Sequence, residues 1–340
     1  MSDPIIQVTA LGSHWQTKDP FLFCVHHINH FPKGNDHLGP AASLAGRDIG
    51  RDFSGLDGWR MYHGDVVPGF PQHPHRGFET VTIVRDGYID HSDSLGATAR
   101  FGKGDVQWLT AGAGIVHSEM FPLLNQTEPN TLELFQIWLN LPSDSKMAQP
   151  YFTMFWDKDI PRRWYIVSHG RGVVVTLIAG AWDGLQPLAP PPHSWAARAE
   201  ADVAIWSIAM EAGASWDVPP AGHAETLRTL HLFAGSGFRV GGRAVPGPAA
   251  VQVQADQAVT IEAGAGPAEI LLLQGRPIGE PVAAQGPFVM NTRAELEEAF
   301  ADFHRTRFGG WPWPDDAPVH AREEGRFARH ADGRIERAKS

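Results

Sequence analysis

Two short pieces of this 340-residue chain carry ligand-type side chains at one spacing. The first is His73-Pro74-His75-Arg76-Gly77-Phe78-Glu79, and the second is Gly112-Ala113-Gly114-Ile115-Val116-His117-Ser118-Glu119. In an extended strand, residues two apart point to the same face. His73 and His75 can therefore present two imidazoles together, and His117 with Glu119 can add an imidazole and a carboxylate. If the two strands face each other inside a barrel, four ligands meet without a long loop. Such a donor set suits Fe(II), Mn, Ni, Cu or Zn, and ligand type alone does not choose among them. It leaves one or two positions of an octahedral ion for water, O2 or a chelating substrate. Imidazole binds metal only when neutral, so affinity falls as pH drops below about 6. Pro74 lacks an N–H, which fits a strand start or a barrel rim. One His-X-His is more often a surface or core pair than a site. Two such pairs, each flanked by glycine turns, point to a metal.

The elements that must position these pieces read as β throughout. Runs at Thr80–Val84, Val106–Leu109, Leu134–Leu139, Val173–Ala179, Val203–Ala209, Leu230–Ala234 and Ala268–Leu273 are rich in branched and aromatic residues. Glycine turns such as Asp86-Gly87 and Gly102–Gly104 bound them. Many short strands at regular spacing indicate a sandwich or barrel. Strand, glycine turn, strand recurs around 79–89 and 227–240, which suggests a duplicated barrel. The expected organisation is a metal-binding barrel at 1–150 and a metal-free barrel at 160–290, joined by the proline-bearing segment 141–161. A packing helix then occupies 291–310. Within it, Thr292 and Glu295 form a capping-box pattern before a helix at about 293–305. The tail, 311–340, is expected to be extended or partly disordered, with Arg322, Arg326, Arg329, Arg334 and Arg337 solvated.

Composition narrows the function. The formal net charge is -10, a poor match to a nucleic-acid surface. One cysteine, Cys24, excludes an intramolecular disulfide. The N-terminus carries no signal-peptide pattern, and no apolar run is long enough to span a bilayer. A cytoplasmic protein without direct nucleic-acid or membrane contact is expected.

Longer strings resemble the pirin family of bicupins: HPHRGFETVTIV (73–84), DSLG (93–96), GDVQWLTAGAGIVHSEM (104–120), FQIWLNLP (135–142) and GPFVMNT (286–292). The resemblance covers roughly 65–145 and 165–305. It implies an all-β fold of two jelly-roll-like cupin barrels in tandem, with a short C-terminal helix. It also implies that His73, His75, His117 and Glu119 hold one divalent metal, with Fe(II) expected. Glu79 matches a cupin glutamate that pirins do not use as the principal ligand. The implied activity is that of a quercetin 2,3-dioxygenase-like oxidoreductase. A flavonol-like aromatic substrate and O2 would react there, with Glu119 as base and ligand. Phe78, Trp108, Phe121 and Trp138 are candidates for an apolar pocket, or plain core. The alternative is an iron-binding, redox-sensitive regulator of a protein partner such as a transcription factor. One departure stands out. The chain is longer than the family pattern before His73, and that stretch holds His26, His27, His30, His37 and His63. These are read as loop and surface histidines. In the second half, His223-Ala224-Glu225 lacks a partner motif, and His231 is read as a barrel residue.

Overall fold

A computed structural model describes residues 3–167 and 170–339. The chain is built from strands, with one α-helix, Arg293–Thr306, among the described residues. It divides into two compact units. One comprises Met1–Val25, Trp138–Asn140 and Lys158–Gly279; the other comprises His26–Ile137, Leu141–Asp157 and Glu280–Ser340. No helix among the described residues is long and apolar enough to cross a membrane.

The first unit holds a seven-stranded sheet ordered Ile5–Ala10, Ala249–Val253, Leu227–Ala234, Ala268–Gly275, Ala204–Met210, Arg171–Ala179 and Arg162–Val167. A smaller four-stranded sheet contains Ser215–Val218 and Val259–Glu262. Leu230, Val251, Ile208, Ile270, Trp216 and Ile261 fill its core. Alternation is clear in Arg171–Ala179, where Val173, Val175 and Leu177 are fully buried and the residues between them are not.

The second unit carries the two histidine pieces. One of its sheets runs Ile335–Arg337, Phe327–Arg329, Thr98–Gly102, Tyr88–Asp93, Ile115–Met120 and Gly69–His75. The other includes Tyr151–Phe155, Val106–Thr110, Phe78–Asp86 and Asn130–Asn140, in that order. Their inner faces enclose Phe101, Leu109, Ile115, Leu134 and Phe152.

Three expectations about organisation are corrected. Residues of the first 25 pack with the later unit rather than with the histidine pieces: Ile5–Ala10 pairs antiparallel with Ala249–Val253, and Ile5 and Val8 lie on that core. The segment 141–161 is more than a joiner, because Tyr151–Phe155 pairs with Val106–Thr110. The arginine-rich tail is ordered. Phe327–Arg329 pairs with Thr98–Gly102, and Phe327 and Ala328 are buried. Arg322 donates to the carbonyls of Leu123 and Leu124, and Arg326 pairs with buried Asp105 at 2.8 Å. A guanidinium fork bonds carbonyls as readily as water, so composition alone misreads such a tail.

Candidate metal centre

Gly69–His75 is an edge strand of its sheet, pairing with Ile115–Met120. That position accommodates Pro71 and Pro74, which cannot donate to a ladder. His73 lies directly opposite His117, and a register shift occurs between Phe70 and His73. The pairing puts His73, His75 and His117 on one inward face. Their ring centroids are 4.8 Å (His73–His75), 4.5 Å (His73–His117) and 4.9 Å (His75–His117) apart. One ligand atom from each lies within 4.8 Å of the others. Among the described residues searched, this is the group of His, Cys, Asp and Glu side chains close enough to hold one ion.

Glu119 stands beside that group without being a member of it. Its Oε2 is 3.8 Å from His117 Nε2. Both carboxylate oxygens accept from Gln136 Nε2, at 3.1 and 2.9 Å. Burial raises the Glu119 pKa, opposed by the Gln136 bond and by the charge of His91. A buried carboxylate held next to an imidazole is a ready oxygen donor.

The donor chemistry fits a divalent cation. His73 Nδ1 lies 2.8 Å from the Pro71 carbonyl, and His75 Nδ1 lies 3.4 Å from the Pro287 carbonyl. A carbonyl only accepts, so each Nδ1 carries the hydrogen and each Nε2 keeps its lone pair. Burial pushes His73 down to about 4 and lowers His75 and His117 well below their ordinary range. All three rings are therefore neutral near pH 7. Both ring nitrogens of His117 are buried and have no hydrogen-bond partner among the described residues. Such an orphan costs about 1–3 kcal/mol, which a cation bound between the three rings would offset.

The backbone around the pieces is set by glycine and by later chain. Gly77 turns the chain after His75 with φ 86°, and a Cβ there would sit 2.0 Å from the Val289 carbonyl. Arg76 donates to Ala113 O at 2.7 Å and pairs with Asp302 at 3.0 Å. Buried Lys146 donates to the carbonyls of Gly77 and Val289. On the back of the His117 strand, Val116 packs with Phe288, Leu296, Ala299 and Phe308. The capping box at Thr292 and Glu295 forms as the spacing predicts and starts that helix.

Family comparisons agree with this construction. The Pirin family model matches residues 7–139, and the Pirin C-terminal cupin domain model matches 205–309. The chain belongs to the pirin family. A pirin-like protein of Caulobacter vibrioides is 38% identical over 244 residues, covering 72% of this chain and 82% of the relative. A Pseudomonas aeruginosa protein bearing the name "Putative quercetin 2,3-dioxygenase" is 36% identical over 241 residues, covering 71% and 79%. The crystal structure of quercetin 2,3-dioxygenase from Acinetobacter baumannii superimposes with a TM-score of 0.68 at 26% identity, over 91% of this chain and 96% of that one. The fold is thus that of two cupin barrels with a short C-terminal helix.

Other predicted residues of this pirin fall as follows. Glu79 is fully buried and accepts from Thr110 Oγ1 at 2.6 Å, outside the histidine group. Phe78 lies 5.1 Å from the His75 ring, whereas Trp108 packs against Phe155. Trp138 belongs to the other unit, 4.3 Å from Phe23. His231 is a buried barrel residue stacked on Trp15, and the His223-Ala224-Glu225 piece is exposed. Two residues near the centre escaped the sequence reading. His91 is opposite Glu119, its ring 5.5 Å from His117, with Nε2 3.3 Å from Asp93. Its signal was there: His91 and Asp93 form another i, i+2 pair. Gln136 sits inside an apolar strand and offered none.

Proposed function

We propose that this pirin is a metal-dependent dioxygenase of the quercetin 2,3-dioxygenase type, acting on a flavonol-like substrate with Fe(II) as its ion. The observation that carries the reading is the convergence of three buried, neutral imidazoles beside a buried carboxylate. The names borne by its relatives point the same way. His73, His75, His117 and Glu119 would hold the cation. Bound there, the cation supplies Lewis acidity and a template for an oxygen-bearing substrate.

The chain's own groups account for the proton. Glu119 is the acceptor for the flavonol 3-hydroxyl hydrogen, serving as base and ligand in turn. Gln136 keeps the carboxylate turned toward His117. The carbonyls of Pro71 and Pro287 hold the His73 and His75 rings in the tautomer that leaves each Nε2 lone pair for the cation. The overall reaction opens the flavonol with uptake of O2 and release of carbon monoxide.

The test is anaerobic purification with metal analysis, followed by O2 uptake on a flavonol panel. Wild-type protein should hold one ion per chain and consume O2. His75→Ala and Glu119→Ala should lose the ion, turnover or both. Full iron and full activity in both variants would remove the site assignment. An iron-loaded protein without uptake on any flavonol would favour the regulatory reading instead.

A further inference from the structure

The segment between the strands Phe21–Phe31 and Gly69–His75 is long, and the function above leaves it without a role. It is not a loose loop. Arg47 is buried, pairs with Asp52 at 2.8 Å, and donates to the carbonyls of Trp59 (2.9 Å) and Leu56 (2.7 Å). Its guanidinium lies 3.3 Å from the Trp59 ring centroid. Asp52 also accepts from Met61 N–H at 3.0 Å. Backbone bonds run both ways between Asp52 and Tyr62. Tyr62 is held at φ 58°, a conformation bulky residues rarely adopt, which surrounding structure must over-determine. His63 N–H donates to Gly69 O at 3.0 Å, so the segment is moored to the start of the His73 strand.

The moored end presents a row of rings leading to the centre. Phe53 and His63 are 5.1 Å apart, His63 and Phe70 5.8 Å, and Phe70 and His73 6.3 Å. Tyr62 backs the row, 5.0 Å from Phe70 and 5.6 Å from Phe53. Phe53 is 49% exposed, and His63 is exposed. Phe53 and His63 form an exposed aromatic face that is joined through Phe70 to His73. His63 supplies polarity. Its Nδ1 lies 2.7 Å from the Gly50 carbonyl, so Nδ1 carries the hydrogen and Nε2 is an acceptor.

We propose that the 39–68 segment is a substrate subsite, in which Phe53 and Phe70 take a hydroxylated aromatic ring and His63 Nε2 accepts a hydrogen bond from its hydroxyl. This rests on the reading of the centre as the place where a flavonol's other end binds. The subsite selects for phenolic substitution on the ring that does not react. His63 is the specificity-determining residue here, Phe53 supplies affinity for either ring, and neither is needed to hold the ion.

The experiment measures binding without turnover. Metal-loaded protein, kept anaerobic, is titrated with quercetin, whose pendant ring bears hydroxyls, and with galangin, whose pendant ring is bare. Wild type should prefer quercetin. His63→Phe should weaken quercetin about tenfold, the worth of one hydrogen bond to a positioned acceptor, and leave galangin unchanged. Phe53→Ala should weaken both ligands. Metal content should equal wild type in each variant, since both side chains are exposed. If wild type binds both flavonols and the two variants match it, the subsite is wrong while the reading of the centre stands. If wild type binds neither flavonol, both fall.

Discussion

Gln136 Nε2 donates to both oxygens of the Glu119 carboxylate, and so a neutral amide in one strand fixes the direction of the acid in another. Hydrogen bonds of this kind orient a ligand and tune its basicity. Gln136→Leu should lower affinity for a divalent ion roughly 10- to 100-fold, as loss of such a partner does elsewhere. Competition with a chelator of known affinity measures it. Unchanged affinity would mean that Glu119 does not contribute to the centre.

Metal should also act on stability. A ligand that binds only the folded state at a hundred times its dissociation constant adds about 2.7 kcal/mol. For a unit of this size that corresponds to roughly 5–10 °C in midpoint. Calorimetry with and without EDTA should show the shift in wild type. His117→Ala should unfold at one temperature in both conditions.

Buried histidines make the metal-free protein acid-sensitive. Burial holds His231 at about 4, against an unfolded value near 6.5. Above 6.5 neither state is charged, and stability is complete. Between 6.5 and 4 the unfolded chain takes up a proton that the folded one refuses, so stability falls as pH falls. The full displacement is worth roughly 3 kcal/mol. His73, His75 and His117 act in the same direction. Urea midpoints at pH 7.5 and 5.0 should differ in wild type and differ less in His231→Phe, which retains a ring beside Trp15. Equal pH dependence would show that His231 protonates in place.

The Arg47–Asp52 pair is the anchor of the segment before His73. Both side chains are almost wholly buried. Asp52→Asn removes the buried partner of Arg47 and leaves it the exposed Asp57 carboxylate at 3.8 Å; losing one partner of a buried pair costs about 3–5 kcal/mol. Limited proteolysis should then cut within 39–68 well before the rest of the chain opens. Resistance equal to wild type would mean that the segment is held by other contacts.

Thr292→Ala removes the side-chain cap of the helix behind the His117 strand. Loss of such a cap costs about 1 kcal/mol. Chemical denaturation should register it as a lower midpoint at unchanged slope.

Much of this was legible in one dimension. His73, His75, His117 and Glu119 announce themselves because a strand repeats every two residues, so spacing alone assigns a shared face. The strand runs and the helix cap are also local signals, and each appears where its residues place it. What local patterns cannot carry is the pairing of distant pieces. That His73 sits across from His117, that Gln136 rather than another polar residue meets Glu119, and that Pro287 buttresses His75 all follow from register between remote segments. The same holds for the strand Ile5–Ala10, which pairs with Ala249–Val253, and for a tail whose arginines bond carbonyls. Residue types and spacing determined the chemistry on offer. Burial and long-range strand pairing decided which groups face one another, because an orphaned imidazole or a held carboxylate exists only once the surrounding chain has closed over it.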